Sequence, residues 1–179
     1  MSGGADVGSF PLQTADEHDE SNSVGSSASS EVTICNLLYR FAELMDRGLF
    51  EALGYELFTH CRFVVAPPPA EKLDGRQMVA LIDRTTIRYP DGTPRTKHLI
   101  TNPIVEVDEG TGKATCRSYY TILQQTEGLP MQVIVSGRYE DDFERDEDGH
   151  WRFAERDLTL VDMVGNLSQH VRFELAVGS

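Results

Sequence analysis

The chain of 179 residues has a formal net charge of −13, with 40% hydrophobic and 25% charged residues. This length and composition are typical of one globular domain with a sizeable core. The acidic balance argues against nucleic acid as a partner, because phosphate binding requires a basic patch. No apolar run approaches the ~18–20 residues of a membrane span, so we expect a cytoplasmic protein with no membrane partner.

The first segment of the chain, residues 1–29, is rich in serine, glycine and acidic residues and lacks lysine and arginine. Few large apolar side chains are present to offset the entropy of ordering, so this composition predicts a disordered acidic tail. Residues 30–179 are predicted to form a single domain. The three cysteines, at positions 35, 61 and 116, are odd in number and widely spaced, which argues against a disulfide framework.

Three helices are predicted before residue 90. Ser29 or Ser30 offers an N-cap for a first helix over about 31–47. Its apolar residues recur at helical spacing, at Ile34, Leu37, Leu38, Phe41, Leu44 and Met45.

Tyr39 and Asp46 are seven positions apart, almost two turns, and therefore project from the same side of the first helix. A short second helix is expected over 49–58 and a strand over 60–66. A third helix is expected to begin after Asp74.

Four long strands are predicted after residue 92: 93–108, 114–126, 131–145 and 151–161. Their short connections carry turn residues, which indicates an antiparallel meander. Three helices packed on such a sheet form an α+β domain. Because long strands twist and curl, the sheet and helices are expected to enclose a pocket.

The strand around His98 carries the strongest candidate for chemistry. Side chains alternate along a strand, so His98, Ile100 and Asn102 are expected on one face. The dipeptide of Asn102 and Pro103 indicates a bulge. A histidine and an amide on one face suit a pocket for a small polar molecule. A hydrogen-bonded core or edge histidine is the alternative.

Resemblance to a known family is carried by four segments: LLYRFAELMDRG, TKHLITNP, ATCRSYY and SGRYEDDFERDEDGHWRFAERD. Over about residues 30–170 the chain resembles the SnoaL-like group of the NTF2-like superfamily. The resemblance implies a cone-shaped α+β fold, with three N-terminal helices packed on a strongly curved antiparallel sheet that encloses a pocket. The superfamily hosts dehydratases, isomerases, cyclases and non-catalytic subunits, so the fold does not choose among these activities.

The scytalone dehydratase and bile-acid dehydratase branches imply roles for individual residues. Tyr39 and Asp46 would line the mouth of the cone, and His98 would be a general base oriented by Asp46. Tyr39, Asn102 or Ser118 would donate to the developing oxyanion. The chain departs from scytalone dehydratase at Ser118, where that enzyme has a second histidine. Tyr120, on the same strand face, is a further pocket-lining candidate.

These observations together predict a dehydratase or isomerase with catalytic residues His98, Asp46 and Tyr39. Its substrate would be a small apolar or polycyclic carbonyl compound held by Asn102, Ser118 and Tyr120. The alternatives are a small-molecule-binding protein, or an assembly subunit resembling the small subunits of ring-hydroxylating dioxygenases. The fold commonly pairs through its convex sheet face, so a homodimer or higher homo-oligomer is expected.

No metal and no cofactor is expected. The histidines of the domain, at positions 60, 98, 150 and 170, are scattered without HxH or HxxxH spacing. Neither GxGxxG nor a P-loop pattern is present. His170 falls in a segment over 165–173 that is expected to be a loop or short helix and to hold it outside the pocket. Arg156 is either a clamp for a substrate carboxylate or a partner in a strand-to-strand ion pair.

Overall fold

The computed structural model describes residues 28–66, 69 and 72–172. The predicted tail over 1–29 lies almost wholly outside the described residues. Helix α1 spans Ser30–Asp46, and the Ser29 side chain accepts a hydrogen bond from the Val32 N–H, which confirms the predicted N-cap. The apolar stripe of α1 is buried against the sheet, as its spacing predicts.

The second predicted helix is irregular. Helix α2 spans Phe50–Ala52 and continues directly into one π-helical segment, Leu53–Leu57. Helix α3 spans Gly75–Thr85 and begins after Asp74, as predicted. Asp74 accepts a hydrogen bond from the Gln77 N–H, and the Gln77 side chain accepts one from the Asp74 N–H. This reciprocal arrangement satisfies two backbone donors that a helix start leaves unpaired.

The helices pack on a curved sheet of seven strands: β1 (Arg62–Val64), β2 (Leu73–Asp74), β3 (Thr96–Asp108), β4 (Lys113–Thr126), β5 (Leu129–Arg145), β6 (Trp151–Asp157) and β7 (Val161–Val164). The strand order is β2-β1-β6-β5-β4-β3, and β7 also pairs with β5. Strands β3 to β6 form the predicted antiparallel meander. Strand β1 pairs with β6 in parallel, so the sheet is mixed. The strand predicted over 151–161 is in fact two strands, since the chain leaves β6 after Asp157 and returns as β7.

A bulge in β3 reverses which side chains face the helices. Before it, Thr96 and His98 are buried, and beyond it the half-buried positions are the odd-numbered ones, Val105 and Val107 among them. The register with β4 shifts between Thr101 and Ile104, which confirms the predicted bulge. One extra residue in a strand interrupts the two-residue period of its faces.

The core lies between the helices and the concave face of the sheet. It is built from the apolar stripe of α1, the second helix and the inner residues of β4, β5 and β6. Within the part of the chain that is described, no helix combines the length and hydrophobicity needed to cross a membrane.

Candidate active site

A cavity of about 170 Å³ lies inside the core, between the helices and the concave sheet face. Its polar lining residues are His98, Tyr120, Tyr139, Arg156 and His170. The remaining lining residues are apolar: Phe41, Met45, Phe58, Phe63, Met78, Ile82, Ile122, Val135 and Leu158. An apolar lining with several converging polar groups is the lining of a ligand site.

His98, in the wall of this cavity, forms a hydrogen-bonded pair with Asp46. The distance from His98 Nδ1 to Asp46 Oδ1 is 2.6 Å. The same carboxylate accepts hydrogen bonds from the His98 backbone N–H at 3.0 Å and from the Thr96 hydroxyl at 2.9 Å. The carboxylate is an acceptor, so Nδ1 carries the hydrogen and Nε2 is left as the basic nitrogen.

The electrostatics of the pair favour an ionised aspartate. Burial alone would raise the pKa of Asp46, but the hydrogen bonds and charge of His98, together with the Thr96 hydroxyl, hold that pKa below its ordinary value. The His98 side chain is only 2% exposed, and the ring of Phe41 meets its ring edge-on at a centroid distance of 6.1 Å. The imidazole is therefore fixed in position and shielded from bulk water.

Arg156 is fully buried and paired with Asp141 across β6 and β5. Its Nε and Nη2 donate to the two carboxylate oxygens of Asp141 at 2.6 and 2.8 Å. The guanidinium also lies over the rings of Phe41 and Tyr139, each centroid 4.3 Å from Cζ. Burial disfavours the guanidinium charge, but the Asp141 carboxylate outweighs this and keeps the pKa of Arg156 above its ordinary value.

One nitrogen of this arginine has no partner. Arg156 Nη1 is buried and makes no hydrogen bond to any described residue. A buried N–H donor without an acceptor is unfavourable and uncommon in folded proteins. The strand-to-strand ion pair expected from the sequence is present, and it leaves one donor of Arg156 available in a residue that lines the cavity.

Two tyrosines stack on the sheet side of the cavity. The rings of Tyr120 and Tyr139 lie 4.4 Å apart at an interplanar angle of 21°. Burial raises the pKa of both hydroxyls, so both are neutral hydrogen-bonding groups near pH 7. Gly137 makes room for Tyr120, because a Cβ at that position would lie 2.7 Å from the Tyr120 hydroxyl oxygen.

His170 lies in the cavity wall, and the prediction that it is held outside the pocket is wrong. It is 8% exposed and lines the cavity together with His98. The chain returns after β7 and a backbone bridge joins Val171 to Thr86, at the end of α3. This return over more than eighty residues places His170, and no local sequence pattern indicates it.

Two of the predicted site residues lie away from the cavity. Asn102 adopts a left-handed φ of 52° within the β3 bulge and is exposed, so the prediction that it shares the inner face with His98 is wrong. Tyr39 is 47% exposed. It lines a separate outer groove between α1 and β3, together with Asp46 and His98.

Ser118 is buried on the inner face of β4 but does not line the cavity. Its Oγ has no hydrogen-bond partner among the residues described. Tyr120, two positions further along the same face, reaches the cavity. The face predicted for β4 is therefore right for both residues, and of the two only Tyr120 contacts the cavity.

An exposed turn brings together Asp146, Asp148 and His150, whose ligand-type atoms lie within 4.8 Å of one another. Asp146 accepts hydrogen bonds from the backbone N–H groups of Asp148 and His150 at 3.1 and 2.8 Å. These bonds are those of a tight turn between β5 and β6, and they account for the cluster without an ion.

Comparisons with known proteins identify the family of the domain. The model of the SnoaL-like domain matches residues 26–157. Comparison with curated proteins gave no significant sequence match.

Many solved structures are similar to this one, and they include three from Novosphingobium aromaticivorans. A proposed scytalone dehydratase is 20% identical, with a TM-score of 0.58 over 75% of this chain and 85% of that one. The beta subunit of a proposed aromatic-ring-hydroxylating dioxygenase is 17% identical, with a TM-score of 0.57 over 76% and 91%. An NTF2-like protein with a cystatin-like fold is 20% identical, with a TM-score of 0.56 over 83% and 88%. At these identities the similarity is one of fold.

Proposed function

The chain belongs to the SnoaL-like family, and from the chemistry of its cavity we propose that it is a cofactor-independent lyase or isomerase. The observation that carries this proposal is the 2.6 Å hydrogen bond that Asp46 accepts from Nδ1 of His98, a residue in the wall of the cavity. Such a pair fixes the tautomer that leaves Nε2 free to accept a proton, and the carboxylate stabilises the imidazolium that then forms.

The reaction we propose begins with proton abstraction next to a carbonyl group. His98 Nε2 takes the proton from the α-carbon, and the electron pair of the broken C–H bond moves to the carbonyl oxygen. Arg156 Nη1, the buried donor without a partner, is the group we assign to that oxygen. In a β-hydroxy ketone the enolate then expels the β-hydroxyl group, which leaves as water with a proton from the His98 imidazolium. In a β,γ-unsaturated ketone the dienolate instead takes that proton at the γ-carbon, and the double bond moves to the α,β position. The first outcome is a dehydration and the second an isomerisation.

The size of the cavity restricts the substrate. Its volume of about 170 Å³ is close to that of an engineered apolar cavity of about 150 Å³ that accepts benzene. We therefore propose a carbonyl compound with one six-membered ring, in preference to a polycyclic one. Aromatic and aliphatic walls from Phe41, Tyr139 and Ile122 suit such a ring.

The cavity lining changes the catalytic and binding roles that the sequence predicts for individual residues. We retain His98 and Asp46 as the base and its orienting partner, and Tyr120 as a lining residue. We assign the oxyanion donor to Arg156 in place of Tyr39, Asn102 and Ser118, which do not line the cavity.

A second candidate function, an assembly subunit, is favoured by one specific observation. The strands of the sheet expose large apolar side chains: Leu99, Ile104, Tyr119, Met131, Val133, Met163 and Val164. Exposed apolar surface of this kind is typical of contact surfaces. It suits the expected homo-oligomer, and equally a contact with another protein.

All three cysteines are free, in keeping with the reducing cytoplasm we propose as the location.

The proposal can be tested before the natural substrate is known, because proton abstraction is visible as isotope exchange. We expect the protein to accelerate the exchange of the α-protons of cyclohexanone in D₂O, followed by ¹H NMR. His98→Ala should lower the rate by a factor of ~10²–10⁴. The matched control is His150→Ala, since His150 is an exposed histidine outside the cavity and its loss should leave the rate unchanged. Exchange no faster with the wild-type protein than with His98→Ala would reject catalysis at His98 and leave the assembly role.

A further inference from the structure

A second imidazole in the cavity has no role in the proton abstraction described above. His170 is buried, it lines the same cavity as His98, and its Nδ1 has no hydrogen-bond partner among the described residues. Buried ring nitrogens are normally paired, so this one calls for a physical explanation.

The position of His170 is fixed by its backbone and not by its ring. Its N–H donates to the Leu167 carbonyl at 2.9 Å, and its carbonyl accepts from the Ile87 N–H at 2.8 Å. Both backbone groups are thus satisfied within the described chain, while the imidazole is held in the cavity wall without a bond through Nδ1.

The neighbouring residues Gln169 and Arg172 are also held by hydrogen bonds. The Gln169 carbonyl accepts a hydrogen bond from the Gln124 side chain at 2.9 Å, and Gln124 also donates to the Pro94 carbonyl at 3.0 Å. The Arg172 N–H donates to the Thr85 carbonyl at 2.8 Å. A polar side chain whose backbone is held by hydrogen bonds, and whose ring has an unpartnered nitrogen in a residue that lines a cavity, has the arrangement of a preorganised binding group.

The protonation state of the His170 side chain restricts which ligand groups it can bind. The titratable groups that act on it are His98 and Asp46, and Arg156 lines the same cavity. Burial, and next the neighbouring His98, lower the pKa of His170 to about 4, so it is neutral near pH 7. A neutral imidazole forms a hydrogen bond with an uncharged hydroxyl or carbonyl oxygen. It has no positive charge that would attract a carboxylate.

We propose that His170 is a substrate-binding residue whose Nδ1 makes a hydrogen bond to a second, uncharged oxygen of the ring compound in the cavity. The identity of that compound rests on the proposed function, in which Arg156 takes the first oxygen, the carbonyl. The substrate class is then a ring ketone that carries a hydroxyl group, the class of compound from which a dehydratase removes water.

The experiment compares two probes that differ in this second oxygen. 3-Hydroxycyclohexanone carries the hydroxyl group, and 3-methylcyclohexanone has a methyl group in its place. Ligand-observed ¹H NMR on the full-length protein measures the dissociation constant of each probe and shows any enone formed in the same sample. The preference of the protein for the hydroxyl probe is the ratio of the two constants.

We expect His170→Leu to reduce this preference about three- to tenfold, the range for one net hydrogen bond. His170→Asn should retain most of it, because the Asn side-chain amide occupies the place of Nδ1. His150→Leu is the matched control and should bind both probes as the wild type does. An unchanged preference in His170→Leu overturns the assignment.

A spectroscopic measurement on the wild-type protein tests the same assignment if a variant does not fold. In wild-type protein with ¹⁵N-labelled histidine, 3-hydroxycyclohexanone should shift the Nδ1 resonance of His170, and 3-methylcyclohexanone should not. Equal responses to both probes overturn the assignment. If cyclohexanone exchange depends on His98 but His170 fails these tests, only the second-oxygen assignment falls. If the His170 preference is found without proton exchange, the chain is a binding protein and the enzymatic proposal falls.

Discussion

Acid should destabilise this protein through His170, and the size of the effect can be worked out from its burial. The pKa of His170 is about 4 in the folded protein, against an ordinary value of 6.5 in the unfolded chain. The unfolded state therefore binds a proton first as the pH falls, and the folded state loses stability. The loss begins near pH 6.5 and is complete below pH 4. Above pH 7 this group contributes no pH dependence.

The shift corresponds to about 3 kcal/mol in total, of which about 2 kcal/mol is lost by pH 5. The perturbation is His170→Asn, which keeps a polar side chain but cannot titrate. Urea unfolding at a series of pH values from 7.5 to 5 gives the free energy of unfolding of both proteins. We expect the wild-type curve to fall by about 2 kcal/mol more than the variant curve over this range.

The matched control is His150→Asn, whose side chain is 79% exposed in the wild type. Its curve should run parallel to that of the wild type. If wild type and His170→Asn lose stability equally between pH 7.5 and 5, His170 is not the buried neutral group described here, and the reasoning fails.

Three further predictions concern the base, the tail and the assembly. Once a substrate is found, Asp46→Asn should cost no more in kcat than His98→Ala, and the double variant should be little worse than His98→Ala, because the pair acts as a unit. Strictly additive losses would show that the two residues act independently. Deletion of residues 1–28 should change the free energy of unfolding by less than about 1 kcal/mol, measured by urea unfolding, and a larger loss would mean that the segment packs on the domain. Light scattering should give a mass of at least twice the 20.0 kDa of one chain, and a monomer mass at micromolar concentration would rule out the expected homo-oligomer.

The fold was accessible from the sequence because its signals are local. The Ser29 cap, the apolar stripe of α1 and the turn residues between the long strands each act within a few positions. The pair of His98 and Asp46 was accessible only through resemblance, since fifty-two positions separate these residues and no spacing rule connects them.

The cavity positions of His170 and Arg156 could not be predicted from the sequence, because they depend on the path of the chain. His170 enters the cavity because the chain returns to the end of α3, and Arg156 keeps one free donor because Asp141 occupies the other side of its guanidinium. Asn102 lies outside the cavity for a different reason. Its dipeptide with Pro103 indicates the bulge, but strict alternation of side chains does not hold across a bulge, because one additional residue reverses the faces.

The bulge at Asn102 also divides β3 into two halves that can vary independently. On one side the orientation of His98 is held by its own bonds to Asp46, whatever follows along the strand. On the other side, the half-buried Val105 and Val107 depend on the additional residue for their orientation. Deleting one residue at the bulge would reverse the faces of the half of β3 that contains Val105 and Val107. The half that contains His98 would keep its orientation. Changes of chain length at this junction would thus remodel the rim of the domain while the proposed base keeps its position.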